Sequence, residues 1–508
     1  MTITHTEIST PLYAVIDLGS NSFHMLITRQ LANSVQVVDK VKRKVRLASG
    51  LNSHNELSQT AIARGLECLS FFAERLQDIP QENVRIVATA TLRLATNRDE
   101  FLSKANKVLG KKISLLSGKQ EAEHIYLGVA HTSCGAKQRF VIDIGGASTE
   151  LILGEGFVTQ HVESLDIGCV TFNDRYFSDE KLTLDNFSRA IFSAKQVIKP
   201  FVERYKSTGW QLVLSGSGTM QALTEIQNFT HQRSGIDFAF LQKIQQQLID
   251  CKTTNEISIS GLTRERTPVI ASGLAILIAL FESFSISKIQ LSSGALREGL
   301  LYGMLPAIID TPIRQSTINS LTEKFHIDSR HAKRIKKQAT SLFYTYKQYW
   351  PLDENNGLAL LDAACELHEV GLLLEFKQHQ RHGAYILQHA DLPGFDQAER
   401  QLLVALVLLY KGDIDLTLLK KQTALGFKEA TYLLVILRLA VILCRRRQDD
   451  TLPDYQTTII KNTDDADIID LSLPTAWLTQ HPLIVDELLQ ENTHLAQMNL
   501  SLSIYCEV

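Results

Sequence analysis

The chain contains the same arrangement of apolar and polar positions twice. In each copy a run of β-branched residues ends in an Asp, a turn rich in Gly and Ser follows, and a second apolar run begins. The copies are residues 15–22 (V-I-D-L-G-S-N-S) and 141–148 (V-I-D-I-G-G-A-S). This pattern predicts two β-hairpins, with glycines that allow close backbone approach and positive φ at the tips. Turn N–H groups and Ser hydroxyls can bind phosphate oxygens, so the tips predict a phosphate chain held between two similar halves.

Two ordinary Gly turns in unrelated hairpins are the alternative interpretation of these copies. The matched flanking strands favour a shared structure, because repeated context adds weight to a short motif. A Rossmann fingerprint or a Walker loop continues from its glycines into a helix, whereas this chain continues into a strand. The pattern therefore indicates neither of those nucleotide-binding folds.

The remaining pattern predicts alternating strands and helices up to about residue 310. A third turn of Gly and hydroxyl residues, at 215–219, follows a strand and precedes a helix. After Asp310-Thr311-Pro312 the spacing of apolar residues is helical for about 150 residues, and strand-like alternation returns near the end. We therefore expect domain boundaries that give the segments 1–124, 125–310, 311–456 and 457–508.

Composition and charge narrow the class of protein. The 508 residues are 44% hydrophobic and 21% charged, with a net charge of −3, which argues against a general polyanion-coating surface and hence against a nucleic-acid partner. Residues 1–11 lack the apolar region of a signal peptide, and the longest apolar runs fall short of the ~18 residues that span a bilayer. The seven scattered cysteines lack C-x-x-C spacing, which is typical of reduced thiols. We expect a cytoplasmic protein without a membrane segment.

Acidic residues next to the two turns suggest metal binding. Asp17 and Asp143 end equivalent strands, and Glu150 follows the second turn. Mg²⁺ is typically bound by one or two carboxylates together with substrate phosphates, so Asp143 and Glu150 are candidate ligands. The alternative is that the two Asp side chains only cap their turns.

Other candidates each have a structural alternative. Glu121, in the first turn of a predicted helix, is a candidate general base for water, or it only interacts with the helix dipole. Arg93 follows a strand and suits bidentate contact with phosphate. Four basic residues line the approach of a polyanion, or they keep an exposed strand edge soluble. They are Lys42, Arg43, Lys44 and Arg46.

Histidines cluster in the helical region. His368-Glu369 is followed by histidines at 379, 382 and 389, but no preceding histidine on a partner helix and no H-E-x-x-H motif is evident. A metal site needs ligands that converge in space, so we predict a structural role without metal for these histidines.

Six ordered motifs resemble the exopolyphosphatase/guanosine pentaphosphate phosphohydrolase family. They are D-L-G-S-N-S-F-H at 17–24, A-T-A-T-L-R at 88–93, S-G-K-Q-E-A at 117–122, D-I-G-G-A-S-T-E at 143–150, S-G-S-G-T at 215–219 and G-A-L-R-E-G at 294–299. The remainder is similar to the long members of the family. Its L-H-E-V-G-L at 367–372 resembles their HD-phosphohydrolase-like domain, but Glu369 replaces the metal-binding Asp, which argues against a second catalytic centre.

The resemblance implies an α/β fold with two actin-like domains of the ribonuclease H-like, sugar kinase/heat-shock protein/actin superfamily, at 1–124 and 125–310. An all-α HD-like domain at 311–456 and a small α+β domain at 457–508 follow. The active site is expected in the cleft between the first two domains, and a homodimer is expected.

The resemblance also implies roles for individual residues in a Mg²⁺-dependent release of a terminal phosphate. Glu121 is expected to be the base that activates water, and Asp143 and Glu150 to be catalytic and to bind the metal. His24 stands where shorter members carry an Arg linked to guanosine phosphate binding. The residues expected to bind substrate are Gly19, Ser20, Asn21, Ser22, Lys44, Arg46, Arg93, Gly145, Gly146, Ala147, Ser148, Thr149, Gly216, Ser217, Gly218 and Thr219.

Several segments are more similar to the guanosine pentaphosphate branch of the family, including Ala147, where exopolyphosphatases usually carry a third Gly. The expected reaction is removal of the 5′ terminal phosphate of guanosine 5′-triphosphate 3′-diphosphate, in stringent-response metabolism. The alternatives are an exopolyphosphatase acting on inorganic polyphosphate, alone or as a dual activity, an ATP-dependent small-molecule kinase, and a non-catalytic alarmone or polyphosphate sensor. Retention of Glu121, Asp143 and Glu150 speaks against the sensor.

Overall fold

The chain folds into two compact units, Met1–Ile313 and Arg314–Val508. The computed structural model describes residues 11–31, 34–133, 138–229, 235–305, 313–461 and 467–507. The predicted boundary segment at 310–312 and Cys134 lie outside the described residues. The five cysteines at 68, 169, 251, 365 and 444 are free thiols, in line with the prediction from their spacing.

The first sheet of the first unit has the order β3-β2-β1-β4-β5. Strands β1 and β2 form the predicted hairpin, and β1 pairs in parallel with β4 on its other side. The elements of this half are β1 (Leu12–Leu18), β2 (Ser22–Leu31), β3 (Ser34–Lys44), α1 (Gln59–Arg75), β4 (Val84–Ala88), α2 (Ala90–Leu94), α3 (Arg98–Leu109), β5 (Ser114–Leu115) and α4 (Gly118–Thr132).

The second sheet repeats this order, with one additional strand at its edge. Its order is β10-β11-β9-β6-β7-β8, with β6 and β7 forming the second predicted hairpin and β9 parallel to β6. The repeated sequence therefore occupies equivalent positions in two sheets. The elements are β6 (Gln138–Ile144), β7 (Thr149–Glu155), β8 (Val158–Leu165), α5 (Cys169–Tyr176), α6 (Leu184–Thr208), β9 (Leu212–Ser215), α7 (Gly218–Phe229), β10 (Ile236–Asp237), α8 (Phe238–Asp250), α9 (Ile270–Phe284), β11 (Lys288–Leu291) and α10 (Leu296–Tyr302).

Helix α9 forms the centre of the second half and is apolar on all sides. Thirteen of its 15 residues are buried, which is how a helix without a polar face behaves in a protein core. One stretch, Thr267–Phe284, is long and apolar enough to cross a membrane by length and composition, and 72% of it is buried inside the structure. The sequence analysis underestimated the length of this apolar stretch, which reaches 18 residues.

Helices α4 and α10 pack with their backbones in contact. A Cβ added at Gly128 would lie 2.1 Å from the carbonyl oxygen of Ala295, and one added at Gly299 would lie 1.7 Å from that of His124. Only glycine permits this approach. Helix α4 also contains the boundary expected at 124/125, and it carries Glu121 in its first turn. The position of Glu121 is therefore fixed by a helix that packs tightly against the second half.

The second unit has one hydrophobic core that includes both the helices and the C-terminal sheet. Ile459, Ile469 and Leu471 of the sheet pack in the same cluster as the helical residues, so the segments 311–456 and 457–508 share their core. The elements are α11 (Ile313–Lys324), α12 (Ser329–Tyr346), α13 (Asn356–Leu367), α14 (His379–His389), α15 (Gln397–Leu409), α16 (Leu416–Lys421), α17 (Phe427–Leu443), β12 (Gln456–Ile460), β13 (Asp467–Pro474), α18 (Thr475–Gln480), α19 (Pro482–Ala496) and β14 (Leu500–Glu507).

Candidate active site

The two hairpin tips are fixed by backbone hydrogen bonds from the segments that pack on them. In the first tip the Asn21 carbonyl accepts from the Arg46 N–H at 2.8 Å, and the Ser20 carbonyl accepts from the Ala48 N–H at 3.0 Å. In the second tip the Gly145 carbonyl accepts from the Cys169 N–H at 2.9 Å, at the start of α5. Each tip is thus held in place before any ligand arrives, which favours a preformed anion site.

The glycines of the tips provide room and not positive φ. Gly19, Gly145 and Gly146 are not among the described glycines with positive φ, so that part of the prediction is wrong. A Cβ at Gly146 would instead lie 2.7 Å from the Cβ of Ser20, and a Cβ at Gly168 would lie 2.4 Å from the Ala147 nitrogen. The second tip therefore touches the first, and a methyl group would separate them.

A cavity of about 170 Å³ lies between the tips. Twelve of the residues predicted to be catalytic or to bind substrate line it, and they come from both halves of the first unit and from the third turn. These residues are Gly19, Ser20, Asn21, Ser22, Glu121, Asp143, Gly145, Gly146, Ser148, Gly216, Ser217 and Gly218.

Four carboxylates, those of Asp17, Glu121, Asp143 and Glu150, lie at the floor of this cavity or next to it; Glu121 and Glu150 are buried, and Asp17 and Asp143 are half-buried. Burial, and after it the charge of nearby Glu121, raises the pKa of Asp17 and that of Asp143 to about 7. Burial also raises the pKa of Glu121 and raises that of Glu150 well above its ordinary range. So many acidic groups in one buried place favour binding of protons or of a cation.

Glu150 is held from one side by two hydroxyl groups. Its Oε1 accepts hydrogen bonds from the Ser148 Oγ at 2.7 Å and from the Ser164 Oγ, on β8, at 2.8 Å. Glu150 stands opposite Asp143 in the register of β6 and β7. Both hydroxyls donate to one oxygen, so the carboxylate has a defined orientation.

Glu121 is held by an ion pair. Helix α4 begins with a capping box in which Ser117 and Gln120 bond each other's backbone, and this box fixes the first turn. The Arg93 Nη1 donates to the Glu121 Oε2 at 2.5 Å and to the Leu116 carbonyl at 3.1 Å. Arg93 itself does not line the cavity.

Six other residues that the sequence assigned to the site stand outside the cavity lining. Ala147, Thr149, Glu150 and Thr219 are buried directly behind it. Lys44 and Arg46 are exposed at the end of β3. The Lys44 Nζ donates to the Glu265 carbonyl at 3.4 Å, and therefore contacts the second half.

The sequence analysis left several cavity residues unassigned. Asp17 had been weighed for metal binding and as a turn cap without being assigned a role, and His24, Arg266 and Arg297 were not assigned to the site, although all four line the cavity. Lys42, from the basic run expected at the approach of a polyanion, lines the cavity as well. Arg297 lies in the G-A-L-R-E-G motif, which was a usable signal. No sequence signal pointed to Arg266, because it comes from a loop that approaches the cavity only in the folded chain. Its guanidinium fills the space beside Gly218, 1.9 Å from where a Cβ of that residue would stand.

The residues on the floor fit a divalent cation. The Oδ1 atoms of Asp17 and Asp143 are buried and, among the described residues, have no hydrogen-bond partner. Unsatisfied buried oxygens are costly, and carboxylate oxygens are the ligands that Mg²⁺ prefers. Asp143 and Glu150 are on one hairpin, as predicted for metal ligands, and Asp17 is the carboxylate that the first hairpin adds.

A second group of metal-ligand type lies in the other unit. Ligand atoms of His331, His368 and Glu369 lie within 4.8 Å of one another. His331 comes from α12, so the view that no preceding histidine could join this group was wrong. Both Glu369 oxygens, however, accept from the Arg447 guanidinium, at 2.7 and 2.6 Å. The Arg447 guanidinium therefore already neutralises the Glu369 carboxylate. The structural role without metal that we predict for the histidines stays a prediction.

Comparisons with known proteins identify the family. The model of the Ppx/GppA phosphatase family matches residues 26–308, and that of domain III of the Ppx/GppA phosphatases matches residues 313–492. The chain belongs to the Ppx/GppA phosphatase family.

Two curated relatives match over almost their whole length. A protein of Pseudoalteromonas translucida is 46% identical over 97% of this chain and 98% of its own. One of Photobacterium profundum is 47% identical over 96% of this chain and 97% of its own. Both are named guanosine-5′-triphosphate,3′-diphosphate pyrophosphatase.

Solved structures support the fold. An exopolyphosphatase from Cytophaga hutchinsonii has a TM-score of 0.54 at 23% identity, over 59% of this chain and 100% of its own. A Ppx/GppA enzyme from Aquifex aeolicus has a TM-score of 0.50 at 23% identity, over 58% and 99%. The predicted α/β fold with actin-like domains is confirmed.

Proposed function

We propose that the chain hydrolyses the 5′ terminal phosphate of guanosine 5′-triphosphate 3′-diphosphate and releases ppGpp and phosphate. One observation carries the proposal: two hairpin tips enclose a small cavity that Glu121 also lines, in a chain 46% identical to a pyrophosphatase of that name. The tips suit a terminal phosphate, and the carboxylates beside them suit activation of water and binding of a cation. We propose further that the protein is cytoplasmic and a homodimer, with no nucleic-acid or membrane partner, and that its domains are those expected from the sequence.

The tips are proposed to bind the terminal phosphate. Backbone N–H groups and the hydroxyls of Ser20 and Ser22 are the donors at the cavity, together with the third turn at Ser217. Lys42, Arg266 and Arg297 also line the cavity and supply positive charge to it. In phosphoryl transfer, positioning and neutralisation of charge provide most of the rate enhancement, so this arrangement matches the chemistry.

Glu121 is proposed to be the general base. It takes a proton from water while the water oxygen forms a bond to the terminal phosphorus, and the bond from phosphorus to the leaving oxygen breaks. The products are inorganic phosphate and ppGpp, and the proton on Glu121 returns to solvent. Its raised pKa makes this carboxylate a stronger base than an exposed one.

Asp143 and Glu150 are proposed to hold Mg²⁺, with Asp17 as an additional ligand. When bound, the ion neutralises negative charge on phosphate oxygens. The protein's own contribution is to keep Glu150 oriented through Ser148 and Ser164, and to keep two Asp oxygens free of hydrogen bonds from the described residues.

Exopolyphosphatase activity remains the second candidate. It is favoured by the basic strand β3, where Lys42 lines the cavity and Lys44 and Arg46 extend beyond it. A linear polyanion would follow such a row of positive charges.

The test is release of phosphate with Mg²⁺ from guanosine pentaphosphate and from long-chain polyphosphate, at matched concentrations of terminal phosphate. We expect a higher kcat/KM for the nucleotide. A higher kcat/KM for polyphosphate would assign the chain to the second function, and binding of both without release would identify a sensor.

A further inference from the structure

Arg93 is bound to the candidate base and not to the phosphate site. Its Nη1 donates to the Glu121 Oε2 at 2.5 Å and to the Leu116 carbonyl at 3.1 Å. Its own carbonyl accepts from the Arg98 Nη1 at 3.2 Å, at the end of α2. The guanidinium end of the side chain and the backbone of Arg93 are therefore both held, and its charge is already paired with a carboxylate.

The surroundings of Arg93 place it behind Glu121. Thr89, Ala90 and Glu121 line the cavity, and Arg93 does not. The Arg93 side chain is 21% exposed and that of Glu121 is 10% exposed, so the ion pair is largely withdrawn from solvent. The guanidinium packs beside the first turn of α4, since a Cβ at Gly118 would lie at van der Waals distance, 3.9 Å, from the Arg93 Nη2.

We propose that Arg93 is a positioning residue for Glu121, and that it does not bind the phosphate. The inference rests on the proposed function, because it requires Glu121 to be the base. It replaces the role in phosphate binding that the sequence suggested for this arginine.

The contact of Arg93 with only one carboxylate oxygen explains how it acts. The guanidinium holds Oε2, and Oε1 has no hydrogen bond from the described residues. A charge-assisted bond of this kind is short and directional, so it restricts rotation of the carboxyl group. Oε1 is then the oxygen that remains available to a water molecule. Misplacement of a base by about 1 Å costs on the order of 10²-fold in rate, so a residue that only orients Glu121 can have a large effect on kcat.

The kinetic signatures of the two roles differ. A residue that positions the base lowers kcat and leaves KM nearly unchanged, whereas a phosphate ligand lost from the ground state raises KM. A positioning residue also has no further effect once the base is gone, since effects of residues that act as a unit are not additive.

The experiment measures kcat and KM of Arg93→Ala and Arg93→Lys, each alone and combined with Glu121→Gln, on whichever substrate the wild-type protein prefers. We expect Arg93→Ala to lower kcat by about 10²-fold with KM changed less than about 3-fold, and Arg93→Lys to recover part of the loss. In the Glu121→Gln protein, Arg93→Ala should cost less than about 3-fold in kcat. Arg85→Ala, which removes an exposed charge from neighbouring β4, is the matched control and should leave both constants unchanged.

Three results would overturn the proposal. They are a KM raised about 10-fold or more with kcat retained, an equal loss of kcat with and without Glu121, and no effect at all. If Arg93→Ala fails to fold, Arg93→Lys carries the same comparison. Full turnover of Glu121→Gln alone would instead remove the base from the proposed function, and is thereby distinguished from failure of the role of Arg93.

Discussion

The two hairpins of the first unit have the same backbone arrangement, but the residues that stand opposite their Asp side chains have opposite electrostatic surroundings. Asp17 stands opposite His24 in β1 and β2, and Asp143 stands opposite Glu150 in β6 and β7. Burial and the cations Arg297, Lys42, Arg266 and Lys40 lower the pKa of His24 to about 2, so it is neutral. Burial and other carboxylates raise the pKa of Glu150.

This difference indicates a division of roles within one repeated motif. On the first hairpin, His24 stands among cations suited to the phosphate chain, and on the second, Glu150 stands among acids suited to a cation. The repeated sequence therefore defines a shared backbone, whereas the residue opposite each Asp defines the chemistry of its half.

The largest expected effect on kcat comes from matched substitutions of His24 and Glu150, the residues that stand opposite the two Asp side chains. Glu150→Gln should lower kcat by about 10²-fold or more, because it removes a charge from the acidic half. His24→Gln replaces a neutral side chain with a neutral one, and should change kcat/KM by less than about 10-fold, mainly through KM. Steady-state kinetics at saturating Mg²⁺ measure both. A larger loss of kcat in His24→Gln would reverse the assigned roles.

The contact between the tips is expected to give the next largest effect. Gly146→Ala places a methyl group 2.7 Å from the Ser20 Cβ, so the tips must move apart. We expect kcat/KM to fall by about 10-fold, since phosphate binding requires both tips. Gly426→Ala, where an added Cβ meets nothing within 4 Å, is the control for a general Gly→Ala effect. Wild-type kinetics in Gly146→Ala would show that the tips act independently.

The acidic floor predicts a pH dependence of stability. Because the folded-state pKa of Asp17 and Asp143 is raised from 3.8 to about 7, the folded protein binds more protons than the unfolded chain in this range. The free energy of unfolding should therefore fall as pH rises from 3.8 to about 7 and then level off. Mg²⁺ competes with these protons, so the increase in Tm on adding it should be larger at about pH 8 than at about pH 5.5.

Thermal melts in EDTA and in Mg²⁺ at the two pH values measure this effect. The double variant Asp17→Asn, Asp143→Asn is the control, and it should lose most of the dependence on pH and on Mg²⁺. An equal gain in Tm from Mg²⁺ at both pH values would count against a cation site on this floor.

The smallest effect on kcat is expected for substitution of Ser164, which donates a hydrogen bond to Glu150 on the second hairpin. Ser164→Ala removes one of two hydrogen bonds to the Glu150 Oε1, and Ser148 keeps the other. We expect a loss of about 3- to 10-fold in kcat, about the net worth of one ordinary hydrogen bond, because the carboxylate keeps its second donor. Ser164→Thr keeps the hydroxyl and should recover activity; if it behaves like the Ala variant, size and not hydrogen bonding matters at this position.

Much of this arrangement could be predicted from local pattern. The pattern of apolar residues predicted both hairpins, and the repeated motif predicted the two similar halves. These features depend on neighbours in sequence, where periodicity and capping act directly. The grouping of Glu121 with Asp143 was implied by the resemblance to the family, since the position of Glu121 in a first helical turn equally suits the helix dipole.

Contacts between distant segments could not be predicted in this way. Arg266 reaches the third turn from a loop, His331 meets His368 from another helix, and Arg93 turns to Glu121 instead of the cavity. None of these has a fixed spacing in sequence, because each depends on how sheets and helices pack. The glycines of the tips illustrate the same limit, since close packing of the tips and not positive φ requires them.

The most direct test of the whole account compares binding and hydrolysis in the Glu121→Gln protein. Calorimetry with guanosine pentaphosphate and single-turnover phosphate release are measured on the same preparation, with wild-type protein and Arg85→Ala beside it. We predict nucleotide affinity within about 3-fold of wild type and hydrolysis slower by about 10²-fold or more, as expected for loss of a general base. Hydrolysis at the wild-type rate would contradict the account, because the cleft would then activate water without Glu121.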